Sequence, residues 1–355
     1  MKKIYFIIFA CLITIEGISQ TGGKYTYQVL SLPYNSRIAA IGGNNVSHYD
    51  NDLNFVLQNP ALLRNKMSDK LSVNYINYIS DINLGNIAFS KYFEKAGIFA
   101  AGIQFANYGK FKNTDYTGII YDNFTVADYV FYGAYSHKLY NEKFRIGANF
   151  KFIWSDYWKY SSVGIAFDAG ISYIDTVKNF SAGLVIKNAG FQLKTYTKGN
   201  FEPLPFDIQI GLTKKFEHAP IRISVTARDL LNWKLAFESK FDQENYVIGE
   251  VQPKKTFFNK LGNVADEFIR HFVFGVEIIP HKAFHIDLGF NTRRRMELTV
   301  PVKKSLVGFS AGVGFELTKF NFGYGIACYT IAGLSHHITF GLNLNSFYKK
   351  KTTSE

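Results

Sequence analysis

The chain has 355 residues, a formal net charge of +12, and 47% hydrophobic and 17% aromatic residues, including 34 Phe and 23 Tyr. Its mean hydropathy of -0.05 resembles that of a soluble protein. That aromatic load is high for one, however, and suits a membrane β-barrel with aromatic girdles. Beyond the first residues no apolar run reaches the roughly 18 residues that a spanning helix needs, which excludes a polytopic helical membrane protein.

The N-terminus reads as an export signal. Met1-Lys2-Lys3 is a short cationic stretch, residues 4–15 are apolar except for Thr14, and Gly17-Ile18-Ser19 offers small residues, so cleavage is expected after Ser19. Ile8-Phe9-Ala10 is a poor match to what precedes a lipidated cysteine, so Cys11 is assigned to the signal. Cys328 is then the sole mature cysteine, which excludes an intramolecular disulfide, and its place on an apolar strand face suits a small hydrophobe. Export also argues against nucleic acid as the partner of the basic blocks Lys254-Lys255, Arg293-Arg294-Arg295 and Lys349-Lys350-Lys351. Their charge fits the lumen, loop ends, and contact with outer-membrane lipid and the sugar phosphates of lipopolysaccharide.

Residues 20–69 lack long alternating runs and are expected to form a compact plug of short helices and turns, inside or across one barrel mouth. Gly42-Gly43 and Asn44-Asn45 are turn formers, Asp50-Asn51-Asp52 is a turn or capping cluster, and Asn59-Pro60 ends the helix-like run 53–57. The calcium-loop pattern that could make Asp50 and Asp52 metal ligands is incomplete.

Strands are expected from residue 70 onward, at 71–78, 85–92, 97–106, 125–137, 144–154, 163–173, 180–187, 206–213, 221–228, 272–278 and 284–291. The plainest stretch is 305–345, where Phe309, Val313, Phe315, Phe320, Phe322, Tyr324, Ile338 and Phe340 alternate with small or polar residues over three further segments. Successive strand side chains point to opposite faces, so each segment has one greasy and one polar face. The total is about 14, an even number as closed bacterial barrels require, so the expected fold is an all-β transmembrane antiparallel barrel spanning 70–347, with a polar tail at 348–355.

Short connections at 94–96, 141–143, 175–179, 217–220, 280–282 and 318–319 alternate with longer ones at 107–124, 188–205, 229–271 and 292–304. Outer-membrane barrels have short periplasmic turns and long surface loops, so both termini are expected in the periplasm. The longest loop carries Phe257, Phe258, Leu261, Val264 and Phe268, enough apolar surface for an ordered cover or a partner-docking face, with helical turns over 261–268. Phe347 approximates a strand-closing terminal aromatic.

Catalysis finds little support. His336 and His337 are adjacent on a strand and face opposite sides, and His281 and His285 straddle a turn with no acid or serine fixed beside them by spacing. No nucleophile elbow, phosphate loop or zinc spacing is present, and no cofactor is implied. Arg145, Lys151, Asp168, Arg222, Arg228, Glu277, Asp287 and Glu316 lie on polar strand faces, where they could pair across a filled lumen or line a solute path.

The N-terminal segment carries a resemblance. Ser36, Arg37, Ala39, Ala40, Gly42 and Gly43, followed by Asp50 and Asp52 and then Asn59, Pro60, Ala61 and Leu62, resemble the plug of FadL-like barrels, which have fourteen strands. The whole stretch 25–63 is more closely similar to the PorV/PorQ branch, barrels of the type IX secretion system of Bacteroidota, and the segment at 271–277 fits the same branch. This resemblance implies a non-enzymatic member of a protein secretion and surface-attachment apparatus. It would anchor an extracellular protein of PorZ type, beside a sortase-like transpeptidase and other secretion components. A FadL-like transporter of hydrophobic small molecules is the alternative it implies.

Overall fold

The structure is a computed structural model, and it describes residues 23–139, 143–233, 235, 257–298 and 305–347, with the side chains of 257–263 excepted. The expected cleavage site, Cys11, Lys254-Lys255, Lys349-Lys350-Lys351 and the polar tail lie outside the described residues.

Fourteen antiparallel strands close into one barrel, each paired with its chain neighbours. The first seven are β1 (Lys70–Asn77), β2 (Asn83–Phe93), β3 (Gly97–Thr114), β4 (Ile120–Lys138), β5 (Phe144–Tyr157), β6 (Tyr160–Asp175) and β7 (Phe180–Lys194). They are followed by β8 (Asp207–Lys215), β9 (Ile221–Ala227), β10 (Phe272–His281), β11 (Phe284–Asn291), β12 (Phe309–Glu316), β13 (Phe320–Thr330) and β14 (Gly333–Asn343). The seam joins β1 to β14 from Lys70↔Asn343 to Asn77↔His336, so the sheet has no open edge along that register. Each segment expected from alternation coincides with one of these strands.

The faces divide as the alternation requires. On β5, Phe144, Ile146, Phe150, Phe152 and Trp154 are exposed on the outside, while Arg145, Asn149, Lys151, Ile153 and Ser155 are buried inside. Near the short-turn end the outward rings meet their neighbours. Phe99 lies 4.8 Å from Tyr135, Phe144 5.0 Å from Tyr173, and Phe284 5.0 Å from Phe315. This is the aromatic girdle of a membrane barrel. No described helix is long and apolar enough to cross a membrane.

Two expected long loops prove to be strand in part. β3 and β4 run on to Thr114 and from Ile120, so 107–124 is a hairpin whose tip is 115–119. β7 continues to Lys194, which shortens the connection expected at 188–205. Bulges hid these extensions. The register shifts between Asn107 and Lys110, where Gly109 takes φ +89°, and again opposite Asn188, which takes φ +58°. Each bulge moves the alternation onto the other face. The last strand stops at Asn343, and a turn at Leu344–Ser346 places Phe347 5.8 Å from Phe320 rather than within β14.

Residues 23–69 pack against the inner wall. They contain one short helix, α1 (Ser36–Ala40), and 3-10 turns at Gln28–Ser31, Leu53–Leu57, Pro60–Leu62 and Asn65–Met67. Two further helices, α2 (Phe257–Arg270) and α3 (Thr292–Glu297), lie at the end of the barrel opposite the short turns.

Candidate functional site: a plug locked to the barrel wall

The resemblance residues at 36–61 all fall on this inner segment. Asn35 caps α1, its side chain accepting from the backbone N–H groups of Arg37 and Ile38. Asn35 Nδ2 also donates to Thr339 Oγ1 on β14 at 3.0 Å, and Ser36 reaches the same hydroxyl through its N–H and its Oγ, at 3.0 and 2.9 Å. The cap that starts the helix therefore also fastens it to the seam.

Arg37, itself buried, then points from α1 into an ionic cluster in which Glu316 reaches the surface. Its guanidinium donates to Glu277 on β10, Glu316 on β12 and Asp50, each at 2.8 Å. Arg222 on β9 meets Asp50 at 2.8 and 3.0 Å and Glu277 at 3.2 Å. His48 stacks on Phe55 with centroids 4.2 Å apart and places Nε2 3.1 Å from Asp50. Arg37 is 5% exposed and Glu277 1%, so neither charge is stable here without the other. Burial pushes the Asp50 carboxyl up, but Arg222, His48 and Arg37 outweigh it and hold the group well below the usual carboxylate range.

Gly42 and Gly43 end α1 with φ of +97° and +93°, the left-handed region that favours glycine. The Gly43 N–H closes on Ile38 O at 2.8 Å, Gly42 N–H donates to Ser310 Oγ at 3.1 Å, and Asn291 Nδ2 donates to Gly42 O at 3.1 Å. Asp52 caps the turn Leu53–Leu57, accepting from Asn54 N–H at 2.9 Å. Asp50 and Asp52 thus serve different partners, arginines and a turn start, and do not combine as cation ligands. Asn59 donates to Val46 O at 2.9 Å and accepts from Ala61 N–H at 3.0 Å, with Pro60 at the first position of the next turn. Ala61 O accepts from Ser172 on β6 at 3.0 Å.

The wall is shaped to receive this backbone. A Cβ added to Gly325 on β13 would overlap Ser36, one on Gly289 of β11 would overlap Ile41 and Gly42, one on Gly183 of β7 Val46, and one on Gly147 of β5 Pro60 and Ala61. These glycines read in the sequence only as members of a small, polar face. Their positions form a cradle on which the inner segment lies in direct backbone contact.

Several lumen charges proposed from alternation do pair. Lys151 meets Asp168 at 2.7 Å, and Arg228 meets Asp229 at 2.8 Å. His336 and His337 face opposite sides as expected, His336 meeting Tyr324 at 2.8 Å on the outside while His337 is buried inside. One reading is corrected. His285 does have an acidic partner, Asp287, at 2.8 Å, because residues two apart on a strand share a face. Ligand atoms of Glu277, His285 and Asp287 lie within 4.8 Å of one another. Glu277 is already bound by Arg37 and Arg222, whose charges repel a cation. His48, Thr339 and the glycine cradle were missed by sequence reasoning, since nothing local distinguishes them.

The proposed docking residues lie at the opposite end. Val264 and Phe268 on α2 are 66% and 50% exposed, and Phe257, Phe258 and Leu261 are within the helical backbone, their side chains outside the described residues. The helix is longer than the turns expected at 261–268. It is tied down by Thr292 of α3, whose Oγ1 donates to Ile269 O at 2.6 Å.

Fold and filling together define a class, a closed fourteen-stranded antiparallel barrel of FadL-like fold whose N-terminal segment packs inside it. Among solved structures, the chain is similar to the toluene transporter TodX of Pseudomonas putida, with a TM-score of 0.54 and 11% identity over 88% of this chain and 99% of that one. A TodX deltaS2S3 mutant, described as a monoaromatic hydrocarbon channel, aligns with a TM-score of 0.52 and 11% identity over 87% of this chain and 99% of that one. A FadL homologue of Pseudomonas aeruginosa aligns with a TM-score of 0.41 and 10% identity over 87% of this chain and 97% of that one. No family model and no curated protein matches.

Proposed function

We propose that the chain is a non-enzymatic outer-membrane docking barrel of the type IX secretion apparatus, of PorQ type. In this reading the barrel fixes an extracellular partner of PorZ type to the cell surface. The termini and short turns face the periplasm, and Val264 and Phe268 belong to the docking face. Lipid and lipopolysaccharide surround the aromatic belts. The observation that carries the reading is the filled lumen. Cavities between the inner segment and the wall measure about 120, 70 and 10 Å³, while a vestibule of about 490 Å³ at the short-turn end is lined by charged residues such as Arg37, Asp50 and Arg222. A drug-sized apolar ligand needs a mostly apolar pocket of roughly 300–1,000 Å³. A rigid filled barrel suits an anchor.

The second reading is a carrier of hydrophobic small molecules, and the structural neighbours favour it, since TodX transports toluene. It requires the inner segment to move out of the cradle.

Gentle detergent extraction of the tagged protein from its own outer membrane, with mass spectrometry of what co-purifies, separates the two. The docking reading expects large surface proteins and other secretion components in the eluate. A barrel that elutes alone with an apolar ligand in its lumen overturns it in favour of the carrier.

A further inference from the structure

The hairpin of β3 and β4 rises past its neighbours at the end opposite the short turns. Pairing of β3 with β2 ends at Asn83↔Asn107, and pairing of β4 with β5 begins only at Val126↔Tyr157. Beyond those pairs the two strands hold each other alone, from Lys110↔Thr125 to Thr114↔Ile120. Residues 120–125 of β4 therefore present about 20 Å of open edge, a row of backbone donors and acceptors above the point where β5 turns into β6. A two-stranded ribbon is marginal in water, and a third strand completes it.

The two edges of this ribbon are not alike. The β3 edge carries Lys110, Lys112 and the bulge at Gly109, devices by which natural proteins keep an edge from pairing. The β4 edge, 120–125, has no lysine or proline, and its one charge, Asp122, is turned to β3, where it accepts from Asn113 Nδ2 at 2.6 Å. A bulge at Tyr121 leaves 122–125 as the straight part of that edge. One face of the ribbon is also unfinished. Phe111 and Phe124 oppose each other with ring centroids 5.6 Å apart, and Phe124 stacks on Trp158 of the β5–β6 turn at 4.7 Å. Phe111 and Trp158 nevertheless stay 43% and 39% exposed.

We propose that the β4 edge at 122–125 receives an extended segment of the extracellular partner as a third strand, above the β5–β6 turn. The inference rests on the docking reading for the existence of that partner and adds where and how it is gripped. Backbone hydrogen bonds hold the segment, and its alternate side chains give selectivity. Apolar ones lie beside Phe124 and Trp158, and polar ones beside Asn123 and Thr125. A second copy of this chain fits poorly. Upright in the same membrane, it would bring to this edge in antiparallel register only its own β3 edge, the one closed by Lys110, Lys112 and the bulge.

The test is residue-resolved hydrogen exchange on three samples. They are the gently extracted complex, its composition read by mass spectrometry, the purified barrel in the same detergent, and that barrel in vesicles of phospholipid and lipopolysaccharide. In the complex alone, alternate amides within 122–125 should exchange at least about tenfold more slowly, while 110–114 stays unchanged. Asn123→Lys, which blunts the edge as Lys112 blunts the other, should return the complex to the exchange of the barrel alone. Folding of the variant is checked by its heat-modifiable migration as a closed barrel, and Thr125→Lys replaces it if it does not fold. Equal exchange in all samples, with surface proteins present in the first, overturns strand addition and leaves docking standing. Equal exchange with none present removes both. Slowing in the vesicles marks lipid or a second copy, slowing of every amide on both strands marks a general cover, and either overturns the proposal. Slowing that survives in folded Asn123→Lys overturns it equally.

Discussion

The inner segment meets the barrel by two different kinds of contact. Against β1 to β6 it is mainly apolar. Tyr27, Val29, Leu30, Tyr34, Leu53, Val56, Leu57, Leu63 and Met67 pack with Ile76, Leu84, Ile98, Val130 and Ile153. Against β9 to β14 it is polar, resting on glycines and held by Arg37, Asp50, Arg222 and Glu277. The apolar side is non-directional and tolerates small shifts. The ionic side has fixed donors and acceptors, so it sets the position of α1 and leaves no intermediate arrangement in which the charges remain satisfied.

Cutting the ionic side should have the largest effect. Glu277→Ala leaves two buried guanidiniums short of a carboxylate and is expected to cost about 3–5 kcal/mol. It should be read as a lower unfolding temperature together with new protease sensitivity within 36–50. Acid offers a milder route to the same break. Because its neighbours depress the Asp50 pKa, the stability Asp50 contributes is present above its unfolded value and is lost as pH falls through the folded one. Inner-segment protection, followed by hydrogen exchange, should therefore persist at mildly acidic pH and fail only below the usual carboxylate range. Failure near pH 6 would contradict the assignment.

Leu63→Ala tests the apolar side, where burying a void should cost about 2–5 kcal/mol with no dependence on salt or pH. A clear salt dependence there would remove the distinction between the two sides. Gly325→Val should cost about 1–3 kcal/mol by overpacking against Ser36, whereas Gly133→Ala, with nothing within 4 Å of its Cβ position, should leave the melting curve unchanged. Asp52→Ala should cost about 1 kcal/mol, from the lost cap of the Leu53–Leu57 turn. Equal melting shifts for Gly325→Val and Gly133→Ala would mean that the cradle does not touch the backbone.

The barrel was legible in the sequence because strand alternation is local. Phe309 to Phe315 or Phe144 to Trp154 reveal their outer face without knowledge of any partner. Legibility stopped at the bulges, where Gly109 and Asn188 put the pattern out of phase. It stopped also at contacts between distant residues. Arg37 and Glu277 are 240 positions apart, and Asn35 and Thr339 are 304 apart. Arg222 and Glu277 could be placed on the lumen face, but their partner could not. A glycine that contacts a backbone looks the same in sequence as one that merely fills a small face.

The Asn35–Thr339 hydrogen bond has a consequence for how the protein assembles. It joins the inner N-terminal segment to the last strand, beside the β1–β14 seam. Contacts of such long sequence separation carry a high loop-closure cost and form late. The N-terminal segment leaves the ribosome first, yet its resting place exists only once β13 and β14 have arrived. Closure of the ring and seating of α1 are therefore expected to be one kinetic event, and the inner segment serves as the form around which the last strands wrap.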